Sequence, residues 1–578
     1  MKKIISFVLS CTMLLSLTAC AATPSSSNIN TATASPEITT SPTPSPAPVF
    51  PTYPEESADI SDLSEYTIVY PSYYDEYRMG EVFLLKDAIK NVTGAELDII
   101  SDGEAVREHE IIFASSGRKN GVEKSIEMFQ SGLDYVVGTL NGNIILGGNN
   151  FYADMRAVYD FINDYLGYND IDNIYSEPQD SISGVNIKIY EKPLITLYAC
   201  NYAVDPYTEQ YAIRDMHDAH FNMTTVYSQW YSKDELLDFI KWCARYEIFI
   251  IFLELSYVEE YTDCPVIWGH LIKDEPQTKD YEAYSQRCTE YVEKYGKYGW
   301  KPFVNYFGFY KFWPYLTEHD GLYSEVPVVS FDHYFGNSAL SETGHDNMLH
   351  VFECARDLAL RKGQDLWTYI ESYNNTNWNI NTSKSFRYAS YISFSFGSQG
   401  ILYFQYGDAS RNHTSEGDWT KGSLINWDYS KNQAWYDAKT TNEELLRLAP
   451  IYTQYKNIGT YTVNCNPKYS SAYLEDMYPY FGNVIEDIKD NSNGSVAYLI
   501  GCFDKKSASG NAFTLVNLNN LDDKAYGEYS DTTTTKIKIN GDNITFYRDG
   551  YICEIQCDDD GYYTLNMSNG SCWFVTVD

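Results

Sequence analysis

Eight short apolar runs alternate with helix-like stretches through the middle of the chain, at residues 195–202, 221–228, 248–255, 266–272, 302–307, 327–334, 366–373 and 400–406. A run that is apolar at nearly every position has no face for water, so it predicts a strand covered on both sides, as in a parallel sheet wrapped by helices. Eight such units within about 250 residues match the size of one (β/α)8 barrel. The stretches between them carry helix signals. Ser232 with Glu235 makes a capping box ahead of Leu236, Leu237, Ile240 and Ala244, and a segment with Leu358, Ala359 and Leu360 stops at Gly363. The expected fold class is α/β, a (β/α)8 TIM barrel with an N-terminal α/β accessory domain and a C-terminal β-sandwich.

A barrel keeps its chemistry at the carboxyl ends of its strands. The fourth run, VIWGHLIKDEP, closes on Asp274 and Glu275 before Pro276, and the seventh, LWTYIESY, has Glu371 near its end. An isolated acidic pair at a strand end commonly does no more than solvate the turn, whereas two glutamates on one rim from two strands are a narrower signal. Here residues 193–460 resemble the large clan of retaining glycoside hydrolases, whose acid/base glutamate ends strand four and whose nucleophilic glutamate ends strand seven. The resemblance implies Glu275 as acid/base and Glu371 as nucleophile, with carboxyls about 5–5.5 Å apart. Where that clan commonly has asparagine before the acid/base, this chain has Asp274.

Other strand ends offer groups for binding a sugar: Asn201, Glu254, Asn305, Tyr306, Asp332, His333, Gln405 and Asp408. Any barrel has polar strand ends, so each is weighed against a plain scaffolding role. Asp332 is also an alternative partner for Glu275, and His333 beside aromatics more often serves as a structural hydrogen bonder. With 54 tyrosines the chain is rich in rings that can lie on the C–H faces of pyranoses. Trp230, Trp313 and Trp378 follow strand ends and are candidate platforms, while Trp268 and Trp367 are expected inside the barrel.

The amino terminus addresses the compartment. Lys2 and Lys3 precede an apolar run, and Leu17-Thr18-Ala19-Cys20 resembles a bacterial lipobox, which implies a signal peptide over 1–20 and a lipid on Cys20. Residues 21–58 are rich in Ser, Thr and Pro, as in an extended tether. The expectation is an extracytoplasmic protein held to the cell membrane by its N-terminal lipid alone. The formal net charge of −37 argues against nucleic acid as a partner. Beyond Cys11 and Cys20, the cysteines form no pair or Cys/His cluster at zinc spacing, and no cofactor or metal is implied. Cys553 with Cys557 or Cys572 are possible disulfide partners.

Residues 60–192 read as a separate α/β unit in which Asn141-Gly142 marks a tight hairpin. The pattern resembles the small accessory domain ahead of the barrel in β-hexosaminidases and α-glucuronidases. That resemblance brings a rival mechanism, because β-hexosaminidases end strand four with Asp-Glu and use the substrate's acetamido group as internal nucleophile, although their glycine-rich approach is missing here. Residues 465–578 turn to short β runs, the pattern of a sandwich. Taken together, these readings predict a cell-surface glycoside hydrolase acting on oligo- or polysaccharides. The alternatives are a substrate-assisted β-N-acetylhexosaminidase using Asp274 and Glu275, or a non-catalytic glycan-binding lipoprotein.

Overall fold

The structure is a computed structural model that describes residues 49–118, 120–169, 172–200, 209–307, 313–319, 321–333, 344–373, 383–407, 423–426, 430–464, 484–490, 496–518, 533–568 and 570–577. Contacts divide the chain into two units, Met1–Ala47 and Pro48–Asp578, and the second holds every described residue. Cys20, Asn201, Trp378 and Asp408, and the side chain of Trp313, lie outside the described residues. Among the described residues no helix is long and apolar enough to cross a membrane.

All eight apolar runs form strands, and the strands close into a parallel barrel in sequence order. They are Thr196–Ala199, Met223–Tyr227, Phe249–Glu254, Ile267–Asp274, Lys301–Phe307, Val328–Asp332, Asp365–Glu371 and Gly400–Phe404, numbered one to eight below. Strand one pairs with strand eight from Thr196 beside Gly400 to Ala199 beside Tyr403, which removes both sheet edges. Alternate side chains fill the interior: Tyr198, Met223, Ile251, Phe303, Val328, Trp367, Tyr369 and Leu402 form one buried cluster, with Trp268 packed against it. Gly400 makes room for this filling, since a Cβ there would sit 2.6 Å from the Trp367 ring. The opposite faces pack on the helices. The helix Lys233–Arg245 opens with the expected capping box and buries Leu236, Leu237, Ile240 and Ala244.

Ahead of the barrel, a six-stranded mixed sheet runs in the spatial order Val185–Lys188, Tyr135–Leu140, Asn143–Gly147, Glu110–Phe113, Thr67–Tyr70, Asp98–Ser101. Asn141 and Gly142 both have positive φ, 55° and 75°, the geometry that a two-residue hairpin with native twist requires. After the barrel, a six-stranded and a three-stranded antiparallel sheet enclose a second core that includes Phe513, Leu515, Ile537, Leu565, Trp573 and Val575. The larger sheet takes in Tyr455–Val463, which lies ahead of the border expected at residue 465. Cys553, Cys557 and Cys572 are all free thiols, so the disulfide pairings considered for them are not made.

Both flanking parts grip the barrel at its sides and at the end where strands begin. From the N-terminal sheet side, Arg78 lies 3.5 Å from Asp263, Lys241 lies 3.1 Å from Glu81, and Arg156 pairs with Glu247. Asp263 lies four residues ahead of strand four and Glu247 two ahead of strand three. From the C-terminal side, Asn457 donates to the Ser395 carbonyl at 2.9 Å and the Ser395 and Thr514 hydroxyls meet at 2.7 Å, just before strand eight.

Candidate active site

The inward face of the wall turns from apolar to polar towards the strands' carboxyl ends. Strand five presents Phe303 and then Asn305, strand six Val328, Ser330 and Asp332, and strand seven Trp367, Tyr369 and Glu371, following the two-residue period of a strand. Asn305, Ser330, Asp332 and Glu371 are all buried. The same alternation turns Tyr306 the other way: it is packed outside the barrel edge-on to Tyr323, with ring centres 5.6 Å apart. Its expected place among the sugar-binding groups is thereby corrected, because neighbours along a strand face opposite sides.

Strand four reaches the mouth through an irregularity. Leu271 pairs with Phe303, but Lys273 pairs with Val304, so Ile272 is an extra residue against strand five. The shift turns Lys273 outward, its ammonium 6.0 Å from the centre of the Tyr284 ring, and returns Asp274 to the inward side opposite Asn305. Glu275 follows in the left-handed region with φ 48°, a conformation that costs a side-chain-bearing residue about 1–3 kcal/mol and that persists where surrounding contacts impose it. Here the Glu275 N–H is held by the Asn305 carbonyl at 2.8 Å.

Three carboxyls therefore meet at one place. The Asn305 amide nitrogen donates to Asp274 Oδ1 at 3.1 Å and to Asp332 Oδ1 at 3.2 Å, and its Oδ1 accepts from the Ser330 hydroxyl at 3.0 Å. The Glu275 and Asp332 side chains hydrogen-bond to each other. Burial pushes the Asp332 carboxyl well above the usual range, and the neighbouring Glu275 and Asp274 charges push the same way. Asp274 and Glu275 keep water on one side, yet the protein crowded around the rim strips enough hydration to raise both. For Glu275 the Asp274 charge adds to that rise and the Asp332 hydrogen bond opposes it, while for Asp274 the Asn305 hydrogen bond opposes it.

Glu371 ends strand seven on the inward face of the same rim, three strands round from Glu275 and one from Asp332. Gln405 follows strand eight, buried, and its amide nitrogen has no hydrogen-bond partner among the described residues. Glu254 ends strand three exposed to solvent, and His333 follows Asp332 half-buried. Sequence reasoning passed over Ser330 and Tyr227. Ser330 was legible as the inward residue two positions before Asp332. Tyr227 ends strand two within the electrostatic reach of Asp274 and Glu254, and its ring backs Trp230 at 4.2 Å. Trp230 is 59% exposed, so one face of its indole is supported and the other is open. Trp268 and Trp367 fill the interior, 5.2 Å apart.

A separate cavity of about 560 Å³ lies between the N-terminal part and the barrel helices, lined by Tyr135, Arg156, Tyr159, Asp172, Arg214 and Arg245. Arg156 is paired with Glu247, Arg214 with Asp172, and the Arg245 guanidinium covers the Tyr159 ring at 3.7 Å. These groups are committed to one another.

No family model matches the chain, and no curated protein matches it. Solved structures with a similar fold include a family 39 glycoside hydrolase from the gut symbiont Bacteroides cellulosilyticus WH2, at 12% identity and TM-score 0.41 over 69% of this chain and 86% of that one. An endo-beta-1,4-mannanase from Thermotoga petrophila aligns at 9% identity and TM-score 0.33, over 65% and 92%. Xylanase 10B from Thermotoga maritima aligns at 12% identity and TM-score 0.29, over 44% and 96%.

Proposed function

We propose that this chain is a glycoside hydrolase of the bacterial cell surface, anchored through Cys20 and acting on extracellular oligo- or polysaccharides, with Glu275 as acid/base and Glu371 as nucleophile. The observation that carries this reading is the gathering of Asp274, Glu275 and Asp332 around Asn305 at the barrel mouth, with Glu275 and Asp332 in mutual contact. Two carboxyls in that contact hold a proton beyond the pH at which an isolated one would lose it, because a second negative charge would have to form in a poorly hydrated place beside the first. A protonated carboxyl at neutral pH is what departure of a sugar alkoxide needs. In the first step the glycosidic oxygen takes the proton from Glu275 as its bond to the anomeric carbon breaks, and a Glu371 oxygen bonds to that carbon. In the second, Glu275 removes a proton from water, whose oxygen displaces Glu371.

Asp332 is engaged with Glu275 itself, whereas the partner in a retaining pair stands across the sugar ring at about 5–5.5 Å. This supports Glu371, on the same inward rim, as the nucleophile and gives Asp332 the part of proton partner. The open face of Trp230 supports a saccharide at the mouth.

One observation favours the substrate-assisted reading: Asp274 faces inward directly beside Glu275, where it could orient an acetamido group. Screening the protein lacking residues 1–20 against aryl glycosides and polysaccharides, with Glu275→Gln in parallel, tests both. Hydrolysis lost in the variant supports the proposal, and activity confined to N-acetylated sugars favours the rival. Glycan binding without hydrolysis overturns both in favour of a capture protein.

A further inference from the structure

Asn305 sits where a sugar-binding asparagine would be expected, yet its hydrogen-bonding groups are already committed. An asparagine amide has two N–H donors and one carbonyl oxygen. The two N–H groups go to Asp274 at 3.1 Å and Asp332 at 3.2 Å, and the oxygen goes to Ser330 at 3.0 Å. The partners set the orientation of the amide, because an ionised Asp274 only accepts and must face its nitrogen. The main chain of the same residue holds Glu275 through its N–H at 2.8 Å, and the side chain is buried. One residue of strand five thus contacts all three carboxyl-bearing residues of strands four and six.

We infer that Asn305 is a positioning residue that ties Asp274, Glu275 and Asp332 into one carboxylate array, and that it makes no contact with substrate. The inference rests on the proposed glycosidase reading for the chemistry the array performs, and on hydrogen bonds alone for the array itself. Donation from one amide to two carboxylates favours the ionised form of each, while its attachment to Ser330 stops the amide from turning. Strand four contributes Asp274, Glu275 and the outward Lys273 to the charged and titratable surroundings, and strand six contributes Asp332 and His333. Strands two and three add Tyr227 and Glu254, and strand seven adds Glu371.

Difference potentiometric titration of the folded protein reads this without any substrate. Asn305→Ala removes both donors, so the array should keep its protons to higher pH, and the variant should bind up to about one extra proton per molecule at near-neutral pH. In hydrolysis kinetics its kcat should fall by about tenfold or more with KM changed by less than about twofold, because no substrate contact is lost. Ser330→Ala keeps Asn305 but releases its amide, and it should show a smaller excess of bound protons. It carries the test if the alanine variant of Asn305 does not fold. Superimposable titration curves overturn the inference, as does a raised KM with unchanged kcat. Extra protons in a protein that hydrolyses no glycoside would leave the array standing and sink the glycosidase reading alone. Hydrolysis with unmoved titration would do the reverse.

Discussion

Glu275 and Asp332 meet in a side-chain hydrogen bond between the ends of strands four and six, a contact that two carboxyls make only while they keep a proton between them. Their protons therefore come off in steps that belong to the pair, and the last one leaves later than from either carboxyl alone. That makes the pair a proton reserve at the place where a leaving oxygen would collect it.

Replacing Glu275 with glutamine should leave the fold intact and remove the reserve's outlet. Loss of a general acid costs about 10²- to 10⁴-fold in kcat on unactivated glycosides. Aryl glycosides with good leaving groups should lose much less. Equal, small losses on both substrate types, measured at steady state beside circular dichroism of the variant, would remove Glu275 from this role.

If Glu371 attacks the anomeric carbon, a 2-deoxy-2-fluoro glycosyl inhibitor of the correct sugar should bond to it, because fluorine slows breakdown of the glycosyl-enzyme. Mass spectrometry of the digested protein should place the adduct on the peptide carrying Glu371. An adduct on Asp332 would move the nucleophile to strand six, and no adduct with a turned-over N-acetylated substrate would favour assistance through Asp274.

The raised carboxyls set the pH response. In Asp332→Asn the pair is reduced to Glu275, with Asp274 but no longer Asp332 opposing its ionisation, so its proton should leave at lower pH than the last proton of the wild-type pair. The alkaline limb of the kcat/KM profile should accordingly shift to lower pH. An unmoved or upward-shifted limb would show that the two carboxyls do not act as a unit.

Trp230 offers an open indole face backed by Tyr227. Its change to alanine should raise KM on oligosaccharides about three- to tenfold, in line with a stacking contact of about 0.5–1.5 kcal/mol, and should spare kcat on short aryl glycosides. Quenching of tryptophan fluorescence by saccharide, lost in the variant, checks the same contact. Unchanged KM on chains of every length would leave the ring without a sugar.

Cys20→Ala should release the protein from membranes and leave its specific activity as it was. Fractionation of the producing cells decides this, since a processed variant that still pellets with membranes would refute lipidation at that residue.

Much of the architecture could be read before any coordinates because each barrel strand is apolar on both sides, which leaves no ambiguity about which face is buried. The Asn141-Gly142 turn and the Ser232 capping box are local chemistry, and they appear as expected. The site was legible only in outline. Asp274 and Glu275 announce themselves by interrupting an apolar run, but what Asn305 does depends on the stagger of strands four, five and six, which no single strand records. The extra residue Ile272 that restores Asp274 to the inward side likewise shows only in pairing with strand five. Tyr306 was misjudged for want of counting positions from Phe303. Tyr455–Val463 overlaps the expected barrel range of 193–460 because its partners in the later sheet lie far along the chain.

The salt links that dock the N-terminal sheet fall on residues ahead of strands three and four, at the opposite end from Glu275. Cohesion and chemistry are thus assigned to different ends of one cylinder. Substitutions at Asp274, Glu275 or Asp332 therefore leave these joints untouched. A scaffold divided in this way can have its proposed site altered at little cost to its stability.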